Sequence, residues 1–148
     1  MIAVDTNILI HAHREDSPWH QQARAALRDL AEQPWAIPWP CVHEFIAIVT
    51  HPRVFAPPTP IEDARKTVAG WLAVPTLGLL AEADGYWQIL DEILAASRVT
   101  GPRVHDARIA ALCFQHAVEL LWTADRDFSR FPGIATSNPL LADTREST

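Results

Sequence analysis

Cysteine is scarce in this 148-residue chain: Cys41 and Cys113 are the only two, far apart in apolar surroundings and without C-x-x-C spacing. That excludes a disulfide-stapled scaffold and a thiolate zinc site, and predicts buried, reduced thiols. Long apolar runs are missing too, none approaching the ~20 residues of a membrane span, and the N-terminus lacks the basic region and cleavage site of a signal peptide. A cytoplasmic location with no membrane association is the expectation. Lysine is nearly absent: Lys66 stands alone, and the rest of the twelve basic residues are arginines. With 18 acidic residues the formal charge is −6, which argues against a strongly basic nucleic-acid binder. The exception is a protein whose carboxylates converge on a divalent cation that neutralises them.

No repeat, low-complexity tract or linker divides the chain, and 49% hydrophobic with 20% charged residues describes ordinary globular composition. We read one domain over residues 1–141 and a polar tail over 142–148. Residues 2–5 read as a short buried strand, and "TNILIHAH" begins a helix. In "SPWHQQARAALRDL", Ser17 is the expected N-cap and Pro18 the first helical residue, with Trp19, Ala23, Ala26, Leu27 and Leu30 on one face. "WAIP" suggests a strand, Pro40 starts the helix "CVHEFIAIVT", and the proline-rich "HPRVFAPPTP" cannot continue it. Thr59 and Glu62 form a capping-box pattern ahead of "DARKTVAGWLA". A strand "TLGLL", the helix "GYWQILDEILAAS", a break at Gly101 and Pro102, the helix "VHDARIAALCFQHA", the strand "ELLWTAD" and a last strand at "IAT" complete the pattern. Short apolar strands alternating with amphipathic helices indicate an α/β domain whose parallel sheet is covered on both faces.

Ligands of an open parallel sheet collect beyond the carboxyl ends of its strands. Asp5 ends the first strand, Asp125 ends "ELLWTAD" with Asp127 two residues on, Glu44 lies in the first turn or so of its helix, and Asp106 near the start of another. Strand ends and the starts of the following helices share one edge, so these acids can meet there. Each alone has a plain structural use, as a helix cap or a dipole partner. Together they would repel one another in a partly dry cleft. No lysine stands beside them, and a hard cation, Mg²⁺ or Mn²⁺, is the simplest compensation.

Four segments, "VDTNILIHAH", Glu44 in "CVHEF", "HDARIAAL" and "LLWTADRDFSRF", resemble the ordered acidic motifs of the PIN domain. "HPRVF" and the closing "DRDFSRFPGIATSNPL" are similar to VapC-type toxins of bacterial toxin-antitoxin pairs. The resemblance runs from Ile2 to about Leu140. It implies a PIN-like three-layer α/β/α sandwich with a mostly parallel sheet of about five short strands. It also implies a Mg²⁺- or Mn²⁺-dependent endoribonuclease, homodimeric, with a cognate VapB-type antitoxin. On this reading Asp5, Glu44, Asp106 and Asp125 form the acidic pocket, Asp5, Asp106 and Asp125 hold metal, and Asn7, Thr123 and Asp127 support them. Where family members often have glycine after the histidine of the third motif's helix, this chain has Ala117.

Metal-assisted hydrolysis by water would leave 5′-phosphate and 3′-hydroxyl ends. The seven histidines offer a competing route, acid–base catalysis with attack by the RNA 2′-hydroxyl. Two other readings are a PIN-like domain that only binds RNA or protein, and an aspartyl phosphatase; the latter lacks its D-x-D, since Thr6 and Asn7 follow Asp5. Arg14, Arg103, Arg108, Arg126 and Arg130 flank the acids as a candidate rim for RNA phosphates. Trp71, Trp87 and Trp122 read as core, and Trp19, Trp35 and Trp39 as partly exposed.

Overall fold

The computed structural model describes residues 1–144. The chain runs β1 (Ile2–Val4), α1 (Thr6–His13), α2 (His20–Leu30), β2 (Trp35–Pro38), α3 (Trp39–Val49), α4 (Ile61–Leu72), β3 (Leu77–Leu80), α5 (Tyr86–Ser97), α6 (Arg103–Gln115), β4 (Leu120–Trp122) and β5 (Thr136–Ser137). A 3₁₀ turn, Arg126–Arg130, lies between the last two strands, and another, Pro139–Thr144, closes the described chain. Three residues of the expected polar tail therefore belong to that turn, and residues 145–148 lie outside the described chain.

All strand pairings are parallel, in the order β3-β2-β1-β4-β5. The chain builds outward from β1 to β3 and then returns to lay β4 on the other side of β1. The order thus reverses between β1 and β4, and a crevice opens beyond the carboxyl ends of strands at such a reversal. Six helices flank the sheet, as the three-layer expectation required.

The strands are short, so the helices supply much of the core: Ile8 and Leu9 of α1, Phe45 and Val49 of α3, Ile109 and Leu112 of α6, around Val4, Ile37 and Leu121 of the sheet. Residues Ala107 and Ile109–Cys113 of α6 are all buried, and a helix hydrophobic all round belongs in an interior. Cys41 and Cys113 are buried free thiols, as expected.

Several local expectations give way to tertiary structure. Ser17 does not cap α2, which begins three residues later. Its carbonyl instead accepts the His20 N–H at 3.2 Å, and its hydroxyl accepts the Trp19 N–H at 3.1 Å, closing a turn. Nor do Thr59 and Glu62 form a capping box, because Pro60 occupies the position before α4. Thr59 is buried, its hydroxyl bonded to His13 Nε2 at 3.0 Å and accepting from Arg14 Nη1 at 3.3 Å. The strand expected over "ELLWTAD" keeps only Leu120–Trp122. Trp87 is 61% exposed rather than core, while Trp35 is 3% exposed rather than partly open. An indole can be buried at β2 because its Nε1 donates to Thr76 Oγ1 at 3.1 Å.

Ala117 follows α6 with φ 52°, the left-handed region that a Cβ disfavours by roughly 1–2 kcal/mol. Its side chain is exposed, so nothing is packed against the methyl to be lost. After the extra freedom glycine has in the unfolded chain, Ala117→Gly should stabilise the fold by about 0.5–1 kcal/mol. Urea denaturation with an unchanged slope checks this; a loss of stability would mean the strain is not there.

Candidate active site

β1 is three residues long, and its next residue, Asp5, stands at the centre of the sheet's carboxyl edge with only 5% of its surface exposed. A carboxylate there needs donors, and four converge on it. Oδ1 accepts the Thr6 N–H at 2.8 Å and the Cys41 thiol at 3.6 Å; Oδ2 accepts the Thr123 hydroxyl at 2.8 Å and Asn7 Nδ2 at 3.3 Å. The bond to Thr6 makes Asp5 the N-cap of α1.

These supports come from three elements. Thr123 follows β4, and its hydroxyl oxygen also accepts Asn7 Nδ2 at 3.2 Å and the Asp125 N–H at 3.0 Å. Asn7 Oδ1 in turn accepts the Ala124 N–H at 3.0 Å. The crevice between β1 and β4 is therefore closed by a polar mesh that fixes Asp5 and the backbone carrying Asp125. Cys41, expected as a buried, reduced thiol, is also a donor to Asp5. Its position one turn before Glu44 on α3 is the signal that could have placed it on the same helix face.

Asp125 caps the 3₁₀ turn, its Oδ1 accepting the Asp127 N–H at 2.8 Å. The Gly101–Pro102 break, with Gly101 at φ 60°, launches α6 so that Asp106 sits in its first turn. One recess of about 460 Å³ is lined by Glu44, Asp106, His43 and His105, and a second of about 620 Å³ by Asp106, Asp125, Asp127, Arg103 and Arg130. Pro102 and Asp106 line both, so the two recesses adjoin and together make up the acidic cleft.

The acids within it feel each other. Burial first, then the charges of Asp125 and Asp5, push the Asp106 carboxyl up to about 6. Glu44 lies toward the surface, yet desolvation by the cleft walls, followed by Asp5 and Asp106, raises it as well. Asp5 is raised chiefly by burial, against the lowering influence of its hydrogen bonds. Residues 5, 44, 106 and 125 have been brought together by folding. Asp127 is the exception in sign: its bond to Arg103 holds it below the usual carboxylate range.

Arg103 supplies the compensation for which no lysine was found. It pairs with Asp127 and, one helical turn along α6, reaches Asp106 at 3.8 Å. Arg130 lines the same recess, Arg108 lies beside Glu44 and pairs with Glu82 at 3.6 Å, and Arg126 follows Asp125. Arg14 lies elsewhere, bonded to Asp16 at 2.6 and 2.9 Å and stacked 4.3 Å from the Phe55 ring centroid.

The donor set is all oxygen and anionic, which suits Mg²⁺ or Mn²⁺ rather than a softer ion. Among the described residues no three carboxylate, imidazole or thiol side chains are close enough to enclose an ion by themselves. That accords with a cation that takes one or two carboxylates and completes its shell with water and substrate phosphate.

Residues 2–134 match the PIN domain family. The chain is 33% identical over 146 residues to the ribonuclease VapC43 of Mycobacterium tuberculosis, covering 97% of this chain and 99% of that one. It is 28% identical over 137 residues to VapC48 of the same organism, covering 91% and 94%. Among solved structures, VapBC2 from Rickettsia felis bound to a promoter DNA fragment aligns with a TM-score of 0.70 at 19% identity, over 93% of this chain and 98% of that one. The sarcin-ricin loop cleaving toxin VapC20 of M. tuberculosis aligns with a TM-score of 0.65 at 18% identity, over 94% and 100%. At these identities the structural likeness speaks for the fold alone.

Because folding raises Asp106 from 3.8 to about 6, the folded state holds its proton where the unfolded state has lost it, and stability falls as pH rises through that interval. Asp106→Asn should therefore stabilise the metal-free protein at pH 7.5 by on the order of 2 kcal/mol. The gain should shrink by pH 4 and be reduced by added Mg²⁺, which favours the native carboxylate. Denaturation curves at the two pH values, with and without Mg²⁺, decide it; an equal gain throughout would locate the effect in packing.

Proposed function

The chain belongs to the PIN-domain family, and from that membership we propose that it is the toxin of a toxin-antitoxin pair, a Mg²⁺-dependent endoribonuclease that also accepts Mn²⁺. The supporting observation is the mutual electrostatic coupling of Asp5, Glu44, Asp106 and Asp125, drawn from four distant segments to the reversal of strand order. A domain that only bound a partner would have no need to confine so many like charges.

One or two carboxylates of the set Asp5, Asp106 and Asp125 would hold the cation, with the remainder reaching it through water. Bound there, it supplies Lewis acidity at the scissile phosphate and lowers the pKa of water. The remaining work falls to side chains. Asn7 and Thr123 fix the orientation of the Asp5 carboxylate by donating to its Oδ2, as outer partners of a metal ligand do. Glu44, whose proton affinity is raised, orients the attacking water and takes up its proton. The water oxygen bonds to phosphorus as the P–O3′ bond breaks, and the departing O3′ takes a proton from solvent, leaving a 3′-hydroxyl and a 5′-phosphate. Asp127 engages Arg103 and keeps that guanidinium at the mouth of the cleft, where with Arg108, Arg126 and Arg130 it meets RNA phosphates. Arg14, committed to Asp16 and Phe55, is left out of this interface.

The antitoxin is of the VapB type, and an arginine on it would find a complementary charge in the cleft. The toxin acts as a homodimer in the cytoplasm; among the described residues no helix is long and apolar enough to cross a membrane.

Asp5→Asn is nearly isosteric and keeps a side chain able to cap α1. It should abolish cleavage of a 5′-labelled RNA, a loss beyond the roughly 10–100-fold typical of outer partners of a metal ligand, while the fold persists. Wild-type products should carry 5′-phosphates and vanish in excess EDTA. Activity that survives EDTA, or cyclic phosphate ends, would replace this mechanism with attack by the 2′-hydroxyl; RNA that is bound but never cut would leave a binding domain.

A further inference from the structure

Asp125 also forms a wall of a third recess, of about 350 Å³, which hydrolysis as described leaves unused. Trp19, His11, Arg126, Ser137 and Asn138 are among its lining residues. The volume is at the lower end of the range for small-molecule sites, the size class of a nucleoside.

The indole of Trp19 is 41% exposed yet fixed in place. Its backbone N–H is held by Ser17 Oγ, the same oxygen lies 2.7 Å from His11 Nδ1, and the His11 ring meets the indole edge-on with centroids 5.2 Å apart. A large aromatic face held ready beside a charged cleft is suited to base stacking, which tolerates any base, and loses little freedom when one arrives. Facing groups can read an edge. Asn138 Oδ1 is occupied by the Leu140 N–H at 3.0 Å, which turns its amide nitrogen into the available donor, and Ser137 is exposed on the edge strand β5. Arg126 is exposed and, among the described residues, makes no ion pair. Its unpaired charge attracts a nucleotide phosphate, while the oppositely charged Asp125 has Oδ1 engaged by the Asp127 N–H. With a stacking face and edge donors beside that cation, RNA rather than antitoxin is the occupant the lining fits.

We propose that this recess is a nucleobase subsite: an unpaired base adjoining the scissile phosphate lies against the Trp19 ring, Asn138 and Ser137 meet its edge, and Arg126 meets its phosphate. The assignment deepens the nuclease reading and rests on it for the order of events, because Asp125 is shared between the subsite and the acidic cleft.

Binding is tested without cleavage. The full ¹⁵N-labelled chain, free of metal, is titrated with each nucleoside 5′-monophosphate and with ribose 5-phosphate, and the Trp19 indole N–H is assigned by its loss in Trp19→Phe. The Trp19 and Asn138 side-chain signals should move with base-bearing ligands and not with ribose 5-phosphate, while that of exposed Trp87 stays still. No movement, or equal movement with ribose 5-phosphate, overturns the subsite. In cleavage assays Trp19→Ala should raise KM for RNA roughly 5- to 100-fold, the span expected for one lost stack, with kcat little changed. Trp19→Phe should recover most of that loss, and Trp87→Ala should cost nothing. Nucleotide binding by a protein that cuts no RNA would uphold the subsite and sink the nuclease reading. Normal cleavage with an unaltered KM in Trp19→Ala would do the reverse. A Trp19→Ala defect confined to antitoxin affinity would assign the recess to a protein and end the proposal.

Discussion

A buried carboxylate at the end of a three-residue strand governs this molecule. Asp5 cannot be left without donors, and satisfying it draws in Thr6 and Asn7 from the next helix, Thr123 from beyond β4, and Cys41 from α3. The same four bonds that make the charge tolerable tie the two halves of the sheet together where their order reverses. Structural and electrostatic demands thus meet in one side chain: the carboxylate that needs solvation by protein is also one whose charge raises Asp106 and Glu44.

That coincidence carries a cost which the rest of the site is arranged to limit. Asp106 and Glu44 retain protons more readily than free carboxylates because Asp5 and Asp125 lie nearby. Arg103 offsets part of the repulsion from within α6. The balance is incomplete: among the described residues only Arg103 pairs with Asp106, whose carboxyl is still raised by Asp125 and Asp5, and that residual negative charge is what would attract a divalent ion, or a cationic side chain from outside, to the cleft.

Much of this could be read from the chain because its signals are local. Apolar runs bounded by Pro and Gly gave the elements, and acids at strand ends and helix starts follow from parallel topology alone. What escaped detection depended on which of several available partners a polar side chain takes once the chain has folded. Ser17 and Thr59 have the chemistry of caps, but Ser17 is drawn to His11 and Trp19, and Thr59 to His13 and Arg14. Trp35 and Trp87 exchanged their expected places because burial of an indole depends on whether a partner such as Thr76 waits at its nitrogen. Arg103 was legible as one of five arginines flanking the acids, but its pairing with Asp106 and Asp127 was not, because it depends on how the first turn of α6 is set against the 3₁₀ turn.

One detail of α1 bears on how such a protein could change over generations. Its first backbone amide is satisfied by the side chain of Asp5, and asparagine serves that position about as well as aspartate. The cap of α1 can therefore outlast the charge, although the amide nitrogen would meet Thr123 and Asn7, both of which now donate to Oδ2. A replacement of Asp5 by asparagine thus separates two duties of one position, starting a helix and carrying a charge, and leaves the first in place.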